Sequence, residues 1–348
     1  MGYQIRIPRN NNFDLLRFLF ALTVLLVHAH AISGRPELSF VTYLSSGLAV
    51  KSFFVISGFL ITMSYEQTNN IRLYFSKRLR RILPAYVFVV VVSALGLALL
   101  SNVPPHEYFS LSWLKYLISN LLFLNFLQPT LPGVFENNPL PAVNGALWTL
   151  KIEVMFYLSL PIIVWFLRRV GVFRGVVFLY ITSLLYVYAM GVMISSHGGI
   201  FVELQRQLPG QLTYFLSGAG LYYFYGVFVK NKITFFCVAT LVYATEYYFV
   251  VEILKPLALA VIVVYLGCVA KSAGNFGKYG DMSYGVYIYH CTVMQIFVTL
   301  GLFGNSPMII LGVIILIVLA LSLLSWRYIE KPFLARSSHY VEINISKG

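Results

Sequence analysis

Apolar stretches of membrane-spanning length recur along this chain, and no other feature restricts its fold so tightly. They lie at about 13–31, 43–65, 82–101, 146–167, 175–195, 210–229, 233–250, 253–270, 282–300 and 306–326. A helix needs about 20 mostly apolar residues to cross a bilayer core. The expectation is an all-α polytopic membrane protein of about ten transmembrane helices, with no room for a separate soluble domain. Only 11% of the residues are charged, against roughly 25% in soluble domains, and the mean hydropathy is +0.79. The polar first dozen residues and a first run without a small-residue cleavage site argue against a cleaved signal. Residues 113–127 are apolar but short, and read as a re-entrant or interfacial piece.

The net charge of +13 raises nucleic acid as a partner, and the placement of the charges removes it. With the N-terminus cytoplasmic, ten spans put Arg6, Arg9, Arg72, Lys77, Arg78, Arg80, Arg81, Arg168, Arg169, Arg174, Lys230, Lys232, Lys271, Lys278, Arg327, Lys331, Arg336 and Lys347 on the inner side. Basic residues gather on the cytoplasmic face of membrane proteins, so the excess is topology, and both termini are expected in the cytoplasm. An eleventh span at 113–127 would turn residues 128–145 inward, yet they contain no Lys or Arg. Cys237, Cys268 and Cys291 lie in apolar runs without metal-ligand spacing. They read as buried thiols, and no metal is expected. The outer loop NNPLPAVNG (137–145) has the composition of an ordered loop or lid.

Ionisable residues inside such spans are costly and need a partner or a cavity. Arg17 and His28 lie eleven residues apart in the first span. At ~100° per residue that is three turns plus ~20°, so both leave one face, ~16 Å apart along the axis. A core histidine and a snorkelling arginine are the bland alternatives. The inner cluster Arg72–Arg81 is an ordinary topology determinant or, through Arg78 and Arg81 on one helical face, a phosphate clamp. Ser57, Gly58 and Phe59 mark either close helix packing or a passage for a thread-like chain. Glu153 lies ~10 Å inside a span, at a depth similar to that of His28, and could fix its tautomer. Trp148 is placed as an aromatic-belt residue. Tyr284 and His290 put polar groups into the ninth span, and Glu330–Pro332 reads as helix termination. His30, His106, His197 and His339 have no expected role.

Taken in order, these blocks resemble the acyltransferase-3 family of integral-membrane acyltransferases. The resemblance is carried by Arg17 with His28, Phe53–Phe59 (FFVISGF), Arg78 with Arg81, Leu147–Glu153 (LWTLKIE), Ser283–His290 (SYGVYIYH) and Glu330–Pro332 (EKP). It covers Phe13 to Phe333, which makes residues 1–348 a single membrane domain. The resemblance implies transfer of an acetyl or other acyl group from acyl-coenzyme A to a hydroxyl of a bacterial polysaccharide sugar, in lipopolysaccharide O-antigen or exopolysaccharide, at the inner membrane. It implies Arg17 and His28 as the essential pair, with Arg78 and Arg81 on the donor.

On this reading His28 is the general base or a transient acyl carrier, Arg17 holds the donor or stabilises an oxyanion, and Glu153 orients His28. Ser57, Gly58 and Phe59 line the path of the acyl-coenzyme A, while Trp148, Tyr284 and His290 face the glycan or lipid-linked acceptor. No domain follows the last motif, so transfer is expected inside the membrane domain or through a partner. A proton-coupled transporter of a small substrate is the alternative, disfavoured by the lack of internal repeats. A lipid-binding scaffold is a third.

Overall fold

The computed structural model describes residues 11–68, 70–245, 253–274, 276–304 and 306–334. Arg6, Arg9, Arg336, His339 and Lys347, and the end of the seventh expected span, lie outside them. The principal helices are α1 (Phe13–Ser33), α2 (Ser46–Glu66), α3 (Ile71–Gly96), α4 (Leu111–Leu121), α5 (Trp148–Val170), α6 (Val172–His197), α7 (Leu208–Tyr223), α8 (Lys232–Ala244), α9 (Lys255–Val264), α10 (Ser283–Thr299) and α11 (Pro307–Ser325). Among the described residues there is no strand.

Starts follow local chemistry. The Asn70 carboxamide oxygen accepts from the backbone N–H of Arg72 at 2.8 Å and of Leu73 at 3.2 Å, satisfying donors that a helix N-terminus leaves open. Pro256 and Pro307 sit in the first turns of α9 and α11, where a missing N–H costs nothing.

Among the described residues six helices are long and apolar enough to cross a membrane: α1, α2, α3 with its extension to Leu100, α5, α6, and α11 with its extension to Phe333. Many exposed side chains on them are large and apolar, among them Phe178, Leu185 and Leu316, a surface suited to lipid. The protein is therefore a multi-pass helical membrane protein. The remaining four expected spans correspond to shorter helices. The sixth is interrupted at Phe224, between α7 and a six-residue helix, and the eighth passes from α9 into a π-helical turn at Tyr265–Val269. A hydropathy run cannot register such breaks. The apolar piece after residue 110 is the 11-residue α4, too short to span. Cys237, expected to be buried, is exposed on α8, as an apolar residue on a lipid-facing helix can be.

The described residues form two compact units. One contains 11–16, 50–75 and 152–274; the other contains 17–49, 76–151 and 276–334. In the first, α2 and α7 cross at Gly58 and Gly218. A Cβ on Gly58 would stand 2.0 Å from the Phe215 carbonyl oxygen, and one on Gly218 would stand 2.1 Å from that of Val55. Small residues let membrane helices approach to backbone contact. Phe156 stacks on Phe215 at 4.3 Å and meets Phe54 edge-on at 5.3 Å. At the far end, the Glu66 carboxylate accepts from Arg168 at 2.7 Å and from the Tyr223 hydroxyl at 2.6 Å. That gathers the C-terminal ends of α2, α5 and α7, which up-and-down alternation puts on one side.

In the second unit α10 packs on α11. The proline-rich loop lies along α10 from Ile288 to Gln295. Asn138 donates to the Gln295 side chain at 2.7 Å, Gln295 donates to the carbonyl of Ala142 at 2.8 Å, and Asn144 donates to that of Ile288 at 2.7 Å. Gln295 is buried, so these bonds are shielded from water and hold the loop along the helix.

Candidate active site

Helix α1 is unbroken from Phe13 to Ser33, so the sequence spacing of Arg17 and His28 holds, ~16 Å along one face. Both residues reach toward the same stretch of chain. The Arg17 guanidinium stands 4.0 Å from the Asp281 carboxylate, and His28 Nδ1 stands 2.8 Å from His290 Nε2. Since 17 meets 281 and 28 meets 290, α1 and α10 run parallel in this unit. The site thus has two stations, one at each end of a matched helix pair.

At the imidazole station, the hydrogen bonds determine where the protons lie. His290 Nδ1 is 3.0 Å from the carbonyl oxygen of Val286. A carbonyl can only accept, so His290 Nδ1 carries a hydrogen and, in the neutral ring, Nε2 is an acceptor. His28 Nδ1 must then be the donor across the 2.8 Å contact, which leaves the lone pair of His28 on Nε2. The chain Val286–His290–His28 therefore presets the tautomer that a base or nucleophile needs. The rings lie nearly parallel, with centroids 5.1 Å apart, and His290 is fully buried. Cys291 Sγ completes the cluster, 3.5 Å from His28 Nδ1 and 3.3 Å from His290 Nε2. Nearby, Thr149 and Tyr287 share a 2.6 Å hydroxyl contact, which ties the start of α5 to α10.

At the arginine station, Arg81 meets two carboxylates, Asp281 and, at 3.3 Å, Glu330. Both acids are only 1% exposed at the side chain. Asp281 also accepts from the backbone N–H of Ser283 at 3.0 Å and from the Ser283 hydroxyl, so it satisfies the first open N–H of α10 while facing two guanidiniums. Burial alone pushes the Asp281 carboxyl up, but Arg81, Arg17 and the Ser283 bonds outweigh it and hold the group below the usual carboxylate range. Gly280 precedes it at φ +105°, where a Cβ would meet Trp326 Nε1 at 2.1 Å. Only glycine admits both that backbone conformation and that ring. The Arg81 guanidinium lies 5.7 Å from the ring centroids of Tyr284 and Trp326. A π-helical turn at Trp326–Glu330 follows α11 and carries Glu330 to Arg81. Such turns are frequent at functional sites.

Several expected residues have other surroundings. Glu153 Oε1 accepts from the Tyr157 hydroxyl at 2.5 Å and from Ser57 at 3.4 Å. The Nδ1 side of His28, where an orienting carboxylate was expected, is occupied by His290. Phe59 is fully buried against Phe13, Tyr222 and Tyr225. The Tyr284 hydroxyl donates to the carbonyl of Ile82 at 2.8 Å, fixing α3 beside Arg81. Trp148 opens α5, and Arg78 lies on α3 one turn before Arg81. The sequence reading missed Asp281 and Cys291. An acid two residues before Ser283, at the foot of a span, was the available signal for the first. For the second, adjacency to His290 was the only one.

The family model "Acyltransferase domain" of the acyltransferase-3 family matches residues 10–327. The chain is 30% identical over 340 residues to the O-acetyl transferase of Shigella phage Sf6, covering 95% of this chain and 98% of the phage protein. It is 28% identical over 365 residues to nodulation protein 10 of Rhizobium leguminosarum bv. viciae, covering 92% of each. No solved structure matches. With the family model and both relatives running over nearly all of its length, this chain belongs to the acyltransferase-3 family and is a membrane O-acyltransferase.

Proposed function

We propose that the chain transfers an acetyl group from acetyl-coenzyme A to a hydroxyl of a cell-surface polysaccharide sugar, O-antigen or exopolysaccharide, in the inner membrane of a bacterium. Ten spans with both termini in the cytoplasm put the arginine station at the inner face and His28 nearer the outer face. The observation that carries the reading is the preset lone pair on His28 Nε2, held by the 2.8 Å bond to His290.

In this mechanism His28 Nε2 takes the proton of the acceptor hydroxyl as its oxygen attacks the thioester carbonyl. The tetrahedral intermediate then collapses, the carbon–sulfur bond breaks, and the coenzyme A sulfur leaves with the proton held on Nε2. Arg17 stands ~16 Å from His28 along α1, too far to touch the same carbonyl. Its role is therefore with the donor, and the extended pantetheine arm bridges the two stations. Asp281 and Glu330 balance the charges of Arg17 and Arg81. They act as positioning residues, so the net positive charge facing the donor phosphates comes from Arg78 and its basic neighbours.

The test is transfer of radiolabel from acetyl-coenzyme A to a glycan acceptor in membranes carrying the protein. Label in the glycan with the wild type, and none with His28→Ala at equal abundance, supports the reading. Equal label from both excludes His28 as the base. Mass spectrometry of surface polysaccharide from a deletion strain identifies the acceptor by the acetyl groups that disappear.

A further inference from the structure

Three atoms able to ligate a metal converge from residues that the chain keeps far apart: His28 Nδ1, His290 Nε2 and Cys291 Sγ, all within 4.8 Å of one another. We propose that this cluster is a binding site for a thiophilic divalent cation, zinc, and that occupancy shuts off His28. Tetrahedral zinc, with Zn–N near 2.0–2.1 Å and Zn–S near 2.3 Å, puts two nitrogens ~3.3 Å apart and nitrogen and sulfur ~3.6 Å apart. The corresponding edges are 2.8 Å for the nitrogen pair and 3.5 and 3.3 Å for the sulfur pairs. Receiving the ion thus requires the rings to part by ~0.5 Å and the thiol to move by less.

The second requirement of a histidine ligand is an outer hydrogen bond that fixes its tautomer. The Val286 carbonyl already supplies it to His290 at 3.0 Å. Two imidazoles and one thiolate make a donor set that zinc favours, with a fourth position left for a solvent ligand. His290 and Cys291 are buried whereas His28 is half-buried, so the ion enters from the His28 side.

The proton balance explains the effect. Zinc replaces the hydrogen between the rings, and that proton moves from His28 Nδ1 to Nε2. The Cys291 S–H bond breaks, its proton goes to solvent, and nothing is oxidised or reduced. The bound His28 ring then presents an N–H at Nε2 where a lone pair stood. The binding claim is independent of the chemistry His28 performs, whereas the inhibitory effect rests on the acyl-transfer reading above.

The purified full-length protein in detergent, stripped with chelator, is titrated with zinc chloride and, separately, with cobalt(II) chloride. The wild type is expected to take up one zinc per chain and to give a thiolate-to-cobalt charge-transfer band in the near ultraviolet. Cys291→Ser should weaken zinc binding by more than the roughly 10–100-fold that loss of an outer-shell partner costs, with Cys268→Ser and Cys237→Ser unchanged. Wild-type-like zinc affinity in Cys291→Ser, or no cobalt–thiolate band in the wild type, overturns the site, and the second result stands even if Cys291→Ser does not fold. If zinc binds but the ratio of acyl transfer with zinc to that with chelator stays near one, the site stands and the inhibitory effect falls.

Discussion

Replacing His290 tests the tautomer argument in quantitative form. His290→Leu keeps a similar apolar volume and removes the acceptor, leaving His28 Nδ1 without the 2.8 Å partner that holds its hydrogen. A neutral hydrogen bond contributes about 0.5–1.5 kcal/mol net. At about 1.4 kcal/mol per factor of ten, its loss moves the tautomer balance of His28 by about 2- to 12-fold. The ring also loses its orientation, and removal of comparable supporting partners costs about 10–100-fold. A drop in kcat of about 10- to 100-fold is therefore expected, with KM for acetyl-coenzyme A unchanged because the proposed mechanism places the donor at the other station. His290→Gln retains an acceptor oxygen that can take the His28 hydrogen, and should recover much of the loss. Initial rates of label transfer across a donor series, at matched membrane abundance, separate the two parameters. Unchanged kcat in His290→Leu, or Gln and Leu variants equally impaired, would refute the reasoning.

Other outcomes follow from the same contacts. Asp281→Asn leaves two guanidiniums facing a neutral amide in a site where the acid is 1% exposed, and breaking a buried pair costs about 3–5 kcal/mol; a loss under about 1 kcal/mol in denaturant titration in micelles would contradict the assignment. Because Asp281 titrates below the usual range in the folded protein, its contribution is complete above the unfolded carboxylate value of about 3.9 and is lost as pH falls through the native value. Thermal stability should hold from neutral pH to about 5 and drop below about 4, with Asp281→Asn flatter across that acid window. Gly58→Ala forces a Cβ to 2.0 Å from the Phe215 carbonyl, and since both groups are backbone the cost should exceed the about 1–3 kcal/mol of ordinary overpacking, read as loss of monodisperse protein.

Hydropathy sufficed to find the long helices, and the spacing of Arg17 and His28 held because a continuous helix transmits spacing directly into geometry. It could not find where helices break: Phe224 and the Tyr265–Val269 turn lie within apolar runs that read as uninterrupted. Ion pairing was harder still. Glu330 looked like part of a helix stop because its partner Arg81 lies 249 residues away. The expectation for Glu153 came from matching depths, and its hydroxyl neighbours Tyr157 and Ser57 were not legible because depth carries no azimuth. Gly58 was legible as a small residue, but not that its partner is the Phe215 carbonyl. The His28–His290 bond spans 262 residues, and spacing along the chain holds no trace of such a contact. Each histidine was legible as an ionisable group inside an apolar run, but their pairing was not.

The most direct test of the account is the His28→Ala protein, purified beside the wild type and supplied with labelled acetyl-coenzyme A and glycan. Loss of a positioned general base predicts at least a 10²-fold fall in transfer, with donor binding retained because Arg17 and the basic cluster are intact. Transfer by the alanine variant at the wild-type rate would contradict the claim that the imidazole at this position moves the proton.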